Sequence, residues 1–215
     1  MPNHVTNHLS MSGSTQRIEE VKAFVYGGRD EQGSEICIDF NKIIEQPEEL
    51  DITAGTRAET TVEDLLRKVK SNKDELRELL KQNFEVLLDL SEEEIDLTKK
   101  YINNYIKYGY IHWYEWRIKN WGTKWNAYSQ HMGEEFIYFE TAWSTPKPVI
   151  KRLSEIFTDV QFTVEYADED IGSNCGRYTF SNGYLSEDYI PEDSNSREFA
   201  CALLGIDPSE LEDRD

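Results

Sequence analysis

The 215-residue sequence has few cysteines, few basic residues and no long apolar run. Its cysteines, Cys37, Cys175 and Cys201, stand singly without C-x-x-C spacing. This pattern argues against a zinc ribbon, an iron–sulfur cluster and a disulfide framework. We therefore expect no cofactor and no bound metal.

Apolar segments extend over only a few residues, and the N-terminal residues lack a basic region followed by an apolar stretch. Signal peptides and membrane-spanning helices require such stretches. We therefore expect a cytoplasmic protein without a membrane partner.

Acidic residues outnumber basic ones, with 42 Asp and Glu against 23 Lys and Arg and a formal net charge of −19. The excess is largest in residues 165–215, which contain 14 acidic and three basic residues. A protein that binds the nucleic-acid backbone needs a Lys/Arg surface to displace counterions, so direct nucleic-acid binding is disfavoured. The charge instead suits a partner protein with a basic surface.

Aromatic residues are plentiful, at 12% of the chain, which predicts a folded core. Two periodicities are visible, an alternating one typical of strands and a helical one. The predicted elements are a strand at 4–12, a helix capped by Ser14 that ends at Gly27-Gly28, a second strand at 35–40, helices up to 134, strands at 136–143 and 160–166 around a helix that starts at Thr145-Pro146, a partner strand near 176–180 and a short C-terminal helix.

This order predicts an α+β fold, the ferredoxin-like split β-α-β sandwich, with an antiparallel sheet, helices on one face and a large helical insertion. We assign residues 1–42 to the first half of the domain, 43–134 to a mainly helical insertion, 135–190 to the second half, and 191–215 to a C-terminal helix and acidic tail. Three capping patterns predict helix starts in the insertion: Thr60 with Glu63, Asn72 with Glu75, and Ser91 with Glu94.

No catalytic motif is present. The sequence has no G-x-S-x-G elbow, phosphate-binding loop or H-E-x-x-H pair. His4 and His8 lie on a predicted strand, where four residues span ~13 Å, so their rings cannot share one metal ion. Enzymatic activity is left open, and the sequence favours its absence.

An aromatic band between Tyr101 and Trp143 contains 14 of the 26 aromatic residues. One interpretation is structural, in which the band packs the insertion against the sheet. The other is a binding surface, because Trp, Tyr and Arg dominate binding hot spots. The candidate binding residues are Arg117, Asn120, Trp121, Thr123, Lys124, Trp125 and Trp143.

Three stretches carry a resemblance to a known family: MPNHVTNHLSMSG, WRIKNWGTKWNAY and FETAWSTPKPVIKRL. Together with the split order of elements, they resemble the YubB-like family of plasmid- and phage-borne proteins with a ferredoxin-like domain and uncharacterised function. The resemblance implies a mobile-element origin and no iron–sulfur cluster.

Two classes of function follow. The first is an accessory protein of a plasmid or phage, a non-enzymatic module that binds a host or mobile-element protein with a basic surface. In a sharper variant, its acidic last quarter imitates nucleic-acid phosphates. The alternative is a small-molecule-binding protein or enzyme, with an aromatic pocket between insertion and sheet and Lys124 or Arg117 orienting an anion. The oligomeric state cannot be read from the sequence.

Overall fold

The computed structural model describes residues 2–81 and 90–208. The chain divides into two compact units. The sheet unit comprises Met1–Glu45 and Arg117–Asp215, and the helical unit comprises Gln46–Trp116. Among the helices of the described residues, none combines the length and the apolar character that crossing a membrane requires.

A six-stranded antiparallel sheet with the order β4-β5-β1-β6-β7-β8 forms the sheet unit. The central strand β1 pairs with β5 on one side and with β6 on the other. The strands are β1 (His4–Ser12), β4 (Tyr128–Met132), β5 (Phe136–Ala142), β6 (Gln161–Asp168), β7 (Gly176–Ser181) and β8 (Tyr184–Tyr189). A separate hairpin joins β2 (Gly28–Arg29) to β3 (Glu35–Ile36).

Two interleaved β-α-β units build this sheet. The first runs from β1 through α1 (Thr15–Val25) and, after the helical unit, to β4. The second runs from β5 through α7 (Lys147–Ile156) to β6, and β1 lies between its two strands. This is the ferredoxin-like α+β arrangement, so the predicted fold class is confirmed.

The predicted second strand at 35–40 is wrong. Only Glu35–Ile36 form a strand, and α2 (Phe40–Ile43) begins within the predicted segment. Asp39 caps this helix, because its side chain accepts a hydrogen bond from the Asn41 N–H at 2.9 Å. The strand that completes the first β-α-β unit is β4, inside the segment assigned mainly to helices.

The sheet has one buried and one partly open face. Alternate residues of β1, including Val5 and Leu9, are buried on the inner face, and α1 and α7 bury Val21 and Leu153 in the same unit. The opposite face is called the outer face below. On it, α8 (Asp193–Leu204) packs through Ala200 in a buried cluster with Ala167 and Cys175.

The start of α7 differs in detail from its prediction. Thr145 does not cap the helix, since the cap position is Pro146 and no side chain makes a capping bond. Instead, the Thr145 hydroxyl lies 2.8 Å from the buried hydroxyl of Tyr178 on β7. That contact ties the beginning of α7 to the sheet.

The helical unit contains a short 3₁₀ turn (Glu48–Leu50), α3 (Arg57–Lys68), α4 (Lys73–Lys81) and α5 (Glu92–Tyr108), and α6 (Trp113–Asn120) leads out of it. Ser91 and Glu94 form the predicted capping box at α5, and Asn72 accepts from the N–H of Asp74 at the start of α4. The prediction for α3 is wrong by one turn, because Thr56, not Thr60, is its cap. The predicted acidic tail falls largely on residues 209–215, outside the described residues.

Candidate functional site

Two of the candidate residues, Trp121 and Thr123, are buried in the sheet unit. Trp121 is 2% exposed. Its indole N–H donates to the carbonyl of Ile44 at 2.9 Å, and its ring meets Phe40 edge-on at 5.9 Å. The Thr123 hydroxyl donates to the carbonyl of Ala142 at 2.8 Å. Both side chains therefore hold the loop that follows α6 against the sheet.

Gly122, between these two residues, has a structural reason to be glycine. Its φ is +80°, in the left-handed region. A Cβ atom at this position would lie 2.7 Å from Cδ of Pro148. No other residue fits here without moving the start of α7.

Lys124, Trp125 and Trp143 come together at the surface and are called the aromatic edge. The ammonium Nζ of Lys124 lies 4.8 Å from the ring centroid of Trp143 and 5.1 Å from that of Trp125. Both distances fall within cation–π range. Trp143 is 43% exposed, and Trp125 and Lys124 are half-buried. The aromatic edge presents indole surface and a positive charge to solvent.

Trp143 has an unusual backbone. Its φ is +70°, which is a genuine outlier for a bulky residue. Its N–H donates to the carbonyl of Asn3 at 2.9 Å, and its carbonyl accepts from the side-chain amide of Asn174 at 2.9 Å. Asp168 bridges the two asparagines, accepting from Asn3 at 3.0 Å and from Asn174 at 3.1 Å. The strained conformation is therefore fixed from both sides.

Carboxylates surround the residues next to the aromatic edge. Trp125 meets Tyr128 at 6.1 Å, and the Tyr128 hydroxyl lies 2.8 Å from Nδ1 of His4. Burial, together with the nearby charges of Glu140 and Glu169, raises the pKa of Tyr128 to about 12. The aromatic edge is thus positive at Lys124 and acidic along its rim.

The remaining candidates, Arg117 and Asn120, lie on the last turn of α6 and are half-buried. The guanidinium carbon of Arg117 is 5.0 Å from the ring centroid of Trp121. Arg117 therefore covers the buried indole. The structure brings Lys124, Trp125 and Trp143 together and places the other four candidates in or beside the packing of the loop.

Sequence reasoning missed Tyr128, Asp168 and Asn174. They lie on β4, at the end of β6 and in the loop before β7. Asp168 is buried although it is acidic, because the two asparagines donate to it. Only the long-range pairing of strands brings these residues to the aromatic edge.

In the helical unit, His112 is 2% exposed and lies between two partners. Nδ1 accepts from the N–H of Tyr114 at 3.2 Å, and Nε2 lies 3.1 Å from a carboxylate oxygen of Glu59. Burial raises the pKa of Glu59, but the adjacent imidazole of His112 and the hydrogen bond from the Gly55 N–H outweigh it, so the net shift is downward. Within residues 2–81 and 90–208, no group of three or more His, Cys, Asp and Glu is arranged to hold a metal ion.

The strand order and the two crossovers define the sheet unit as a ferredoxin-like α+β domain. Residues 120–207, less than half of the chain, match a family model described as "Ferredoxin-like domain in Api92-like protein". This region of the chain is therefore similar to the ferredoxin-like domain of the Api92-like family.

One solved structure is similar in outline, a protein api92 from Yersinia pseudotuberculosis, with 10% sequence identity and a TM-score of 0.46. The alignment covers 89% of this chain and 99% of that chain. No curated protein sequence matched. Neither description names an activity, a ligand or a partner.

Proposed function

We propose that the protein is a non-enzymatic protein-binding module and that the aromatic edge is the centre of its binding surface. The observation that carries this proposal is Trp143, a bulky residue that is 43% exposed with a φ of +70°. Strained residues persist only where the surrounding structure fixes them, and they cluster at functional sites. Exposed tryptophans are also the most frequent anchors of binding hot spots.

The charges around the aromatic edge favour a partner with a basic surface. Glu140 and Glu169 lie close enough to Tyr128 to raise its pKa, and the whole chain carries a net charge of −19. Basic groups at the rim of a partner would meet these carboxylates, while an apolar side chain at its centre would cover Trp143. The ammonium group of Lys124 already lies over the rings of Trp125 and Trp143. The central contact that the partner makes with these rings is therefore apolar.

The proposal also includes the biological context in which the protein binds its partner. The resemblance to YubB-like proteins supports an accessory role in a plasmid or phage, with a host or mobile-element protein as the partner. This part rests on the resemblance alone, and the gene neighbourhood would test it.

The phosphate-mimic variant relies on the acidic residues of 165–215 instead of on the aromatic edge. Several of these residues have basic partners within the fold. Glu187 binds Arg177 at 2.8 Å, and Asp188 binds Lys147 at 2.7 Å. The aromatic edge is therefore the better-supported surface. The small-molecule alternative gains no support from Trp121, because that ring is buried.

The test is affinity capture from a host lysate with three forms of the full chain: wild type, Trp143→Ala and Tyr184→Ala. Tyr184 is the matched control, since it is 76% exposed on β8, at the opposite end of the sheet. We expect a partner that wild type and Tyr184→Ala both retain. Loss of a hot-spot side chain, about 2 kcal/mol or more, should weaken capture by Trp143→Ala roughly 30-fold.

The salt dependence of capture distinguishes binding through the aromatic edge from imitation of nucleic-acid phosphates. A partner held through the aromatic edge should remain bound in high salt, whereas a partner held by charge imitation should be released. Capture that is unaffected by Trp143→Ala would contradict the role of the aromatic edge. Unchanged circular dichroism and melting temperature would show that each variant is folded.

A further inference from the structure

A groove lies on the outer face of the sheet, alongside α8, and consists of two adjoining compartments. The first, of about 490 Å³, lies between Phe136 and Tyr138 on β5 and Phe199 and Leu203 on α8. The second, of about 370 Å³, continues past Tyr138 along Leu204. Tyr138 lines both compartments, so they are adjacent, and together they are called the α8 groove below. All of its lining residues belong to the sheet unit.

The first compartment has apolar walls. Phe199 and Leu203 extend from the side of α8 that packs against the sheet. On the sheet side, the ring of Phe136 meets the ring of His8 edge-on at 5.1 Å. Ligand sites in proteins are typically concave, mostly apolar and of about 300–1,000 Å³, and this compartment fits that description.

The second compartment is acidic. It is lined by Glu140 and Glu169 beside His4. The Glu169 carboxylate accepts the backbone N–H of His4 at 2.9 Å, and Glu140 lies 3.8 Å from Nδ1 of the same residue. An ionised carboxylate has about four acceptor positions, so each can accept further hydrogen bonds from a ligand.

No lysine or arginine of the described residues lines either compartment. Arg177 lies beside the groove, with its Nη1 3.7 Å from Glu165, which lines the first compartment. Arg177 also binds Glu187 at 2.8 Å. The negative charge of the first compartment is thus partly balanced inside the fold. In the second compartment, His4 is the one basic side chain of the described lining residues that accompanies the two carboxylates.

We propose that the α8 groove binds a small organic amine in its cationic form, with an aromatic body. The ammonium group lies between Glu140 and Glu169 and donates hydrogen bonds to them. The aromatic body lies between Phe136 and Phe199, where ring contacts and apolar burial stabilise it. This ligand site shares Glu140 and Glu169 with the rim of the protein-binding surface proposed above, but its aromatic part, between Phe136 and Phe199, lies away from the aromatic edge.

The same charges argue against two other occupants. The chain beyond residue 208 reads SELEDRD, with four acidic residues and one basic residue, and the carboxylates of the groove would repel it. A nucleic acid would meet the same repulsion, because its phosphates need basic side chains. A cationic ligand is the one that the lining attracts.

The test is isothermal titration calorimetry of the full chain with three amines: tryptamine, phenethylamine and benzylamine. Indole-3-propionate is the matched anion with the same aromatic body as tryptamine. We expect at least one amine to bind and the anion not to bind. Binding of none of the three amines, or equal binding of indole-3-propionate, would overturn the proposal.

Substitutions in the α8 groove test whether the amine binds there. The double change Glu140→Gln and Glu169→Gln should weaken amine binding about tenfold or more, because it removes the charge-assisted hydrogen bonds. The control is Glu19→Gln, an exposed carboxylate on α1, which packs on the inner face. Ala202→Trp, at an exposed position of α8 that lines the groove, should fill the first compartment and abolish binding. Unchanged affinity in both groove variants would refute the assignment even if an amine binds elsewhere.

Discussion

The backbone of Trp143 allows a prediction in which glycine stabilises the protein relative to alanine. Left-handed φ values cost an L-residue about 1–2 kcal/mol, and glycine does not incur this cost. Glycine loses more chain entropy on folding, about 0.5–1 kcal/mol relative to alanine. At a φ of +70° the first effect is the larger. Trp143→Gly should therefore be more stable than Trp143→Ala by about 1 kcal/mol.

The matched comparison is the same pair of changes at Tyr184. Tyr184 lies in β8 and is 76% exposed, and it is not among the residues with positive φ. Strain relief is absent there, so Tyr184→Gly should be less stable than Tyr184→Ala by about 0.5–1 kcal/mol. The sign of the glycine–alanine difference should thus reverse between the two positions.

The assay is urea denaturation followed by circular dichroism, supported by calorimetry. The two compact units can unfold in separate transitions, so the change should be read on the transition that Trp143 affects. A difference of 1 kcal/mol corresponds to about 2–4 °C in melting temperature for a chain of this size. If glycine is less stable than alanine at both positions, the strain argument for Trp143 is wrong. Both Trp143 variants should show the same weakened capture of the partner, whichever is more stable.

Three further changes test the structure elsewhere. Trp121→Ala should destabilise the sheet unit by about 3–5 kcal/mol in urea unfolding, because it empties a buried site; a loss below about 1 kcal/mol would contradict the burial of this ring. Ser91→Ala removes the cap of α5 and should cost the helical unit about 1 kcal/mol, measured in the same way, while no loss would contradict the capping box. The lowered pKa of Glu59 contributes stability above the ordinary glutamate pKa, near 4.5, that is lost as the pH falls through the folded value. Glu59→Gln should remove this part of the acid dependence in unfolding measured against pH, and an unchanged profile would show that Glu59 is not its source.

The sequence predicts the parts of the fold whose residues alternate strongly. β1 was predicted because apolar and polar side chains alternate along it, and its inner side chains are buried. β4 was missed because it is a short edge strand of polar residues, Tyr128–Met132, with no clear apolar face. The strand predicted at 35–40 is wrong for a different reason. Its apolar residues alternate, but Asp39 caps a helix that begins at Phe40.

The aromatic edge shows where sequence reasoning stops. The sequence identified Lys124, Trp125 and Trp143 as candidates, but it could not separate them from the buried Trp121. Each of the three tryptophans has small or polar neighbours in the sequence, and only the fold decides which ring is covered. The strain at Trp143 is also invisible in the sequence, since it depends on Asn174, which is 31 residues away.

The two proposed sites differ in where positive charge is already present. At the aromatic edge, Lys124 lies over both indoles, so a second cation would be repelled there and an apolar contact is favoured. In the α8 groove, Glu140 and Glu169 have no such built-in lysine, so an added ammonium is attracted. Amine binding should therefore persist in Trp143→Ala, and partner capture should persist in Ala202→Trp. If either variant abolishes both activities while remaining folded, the two surfaces act as one site, and the charge argument that separates them is wrong.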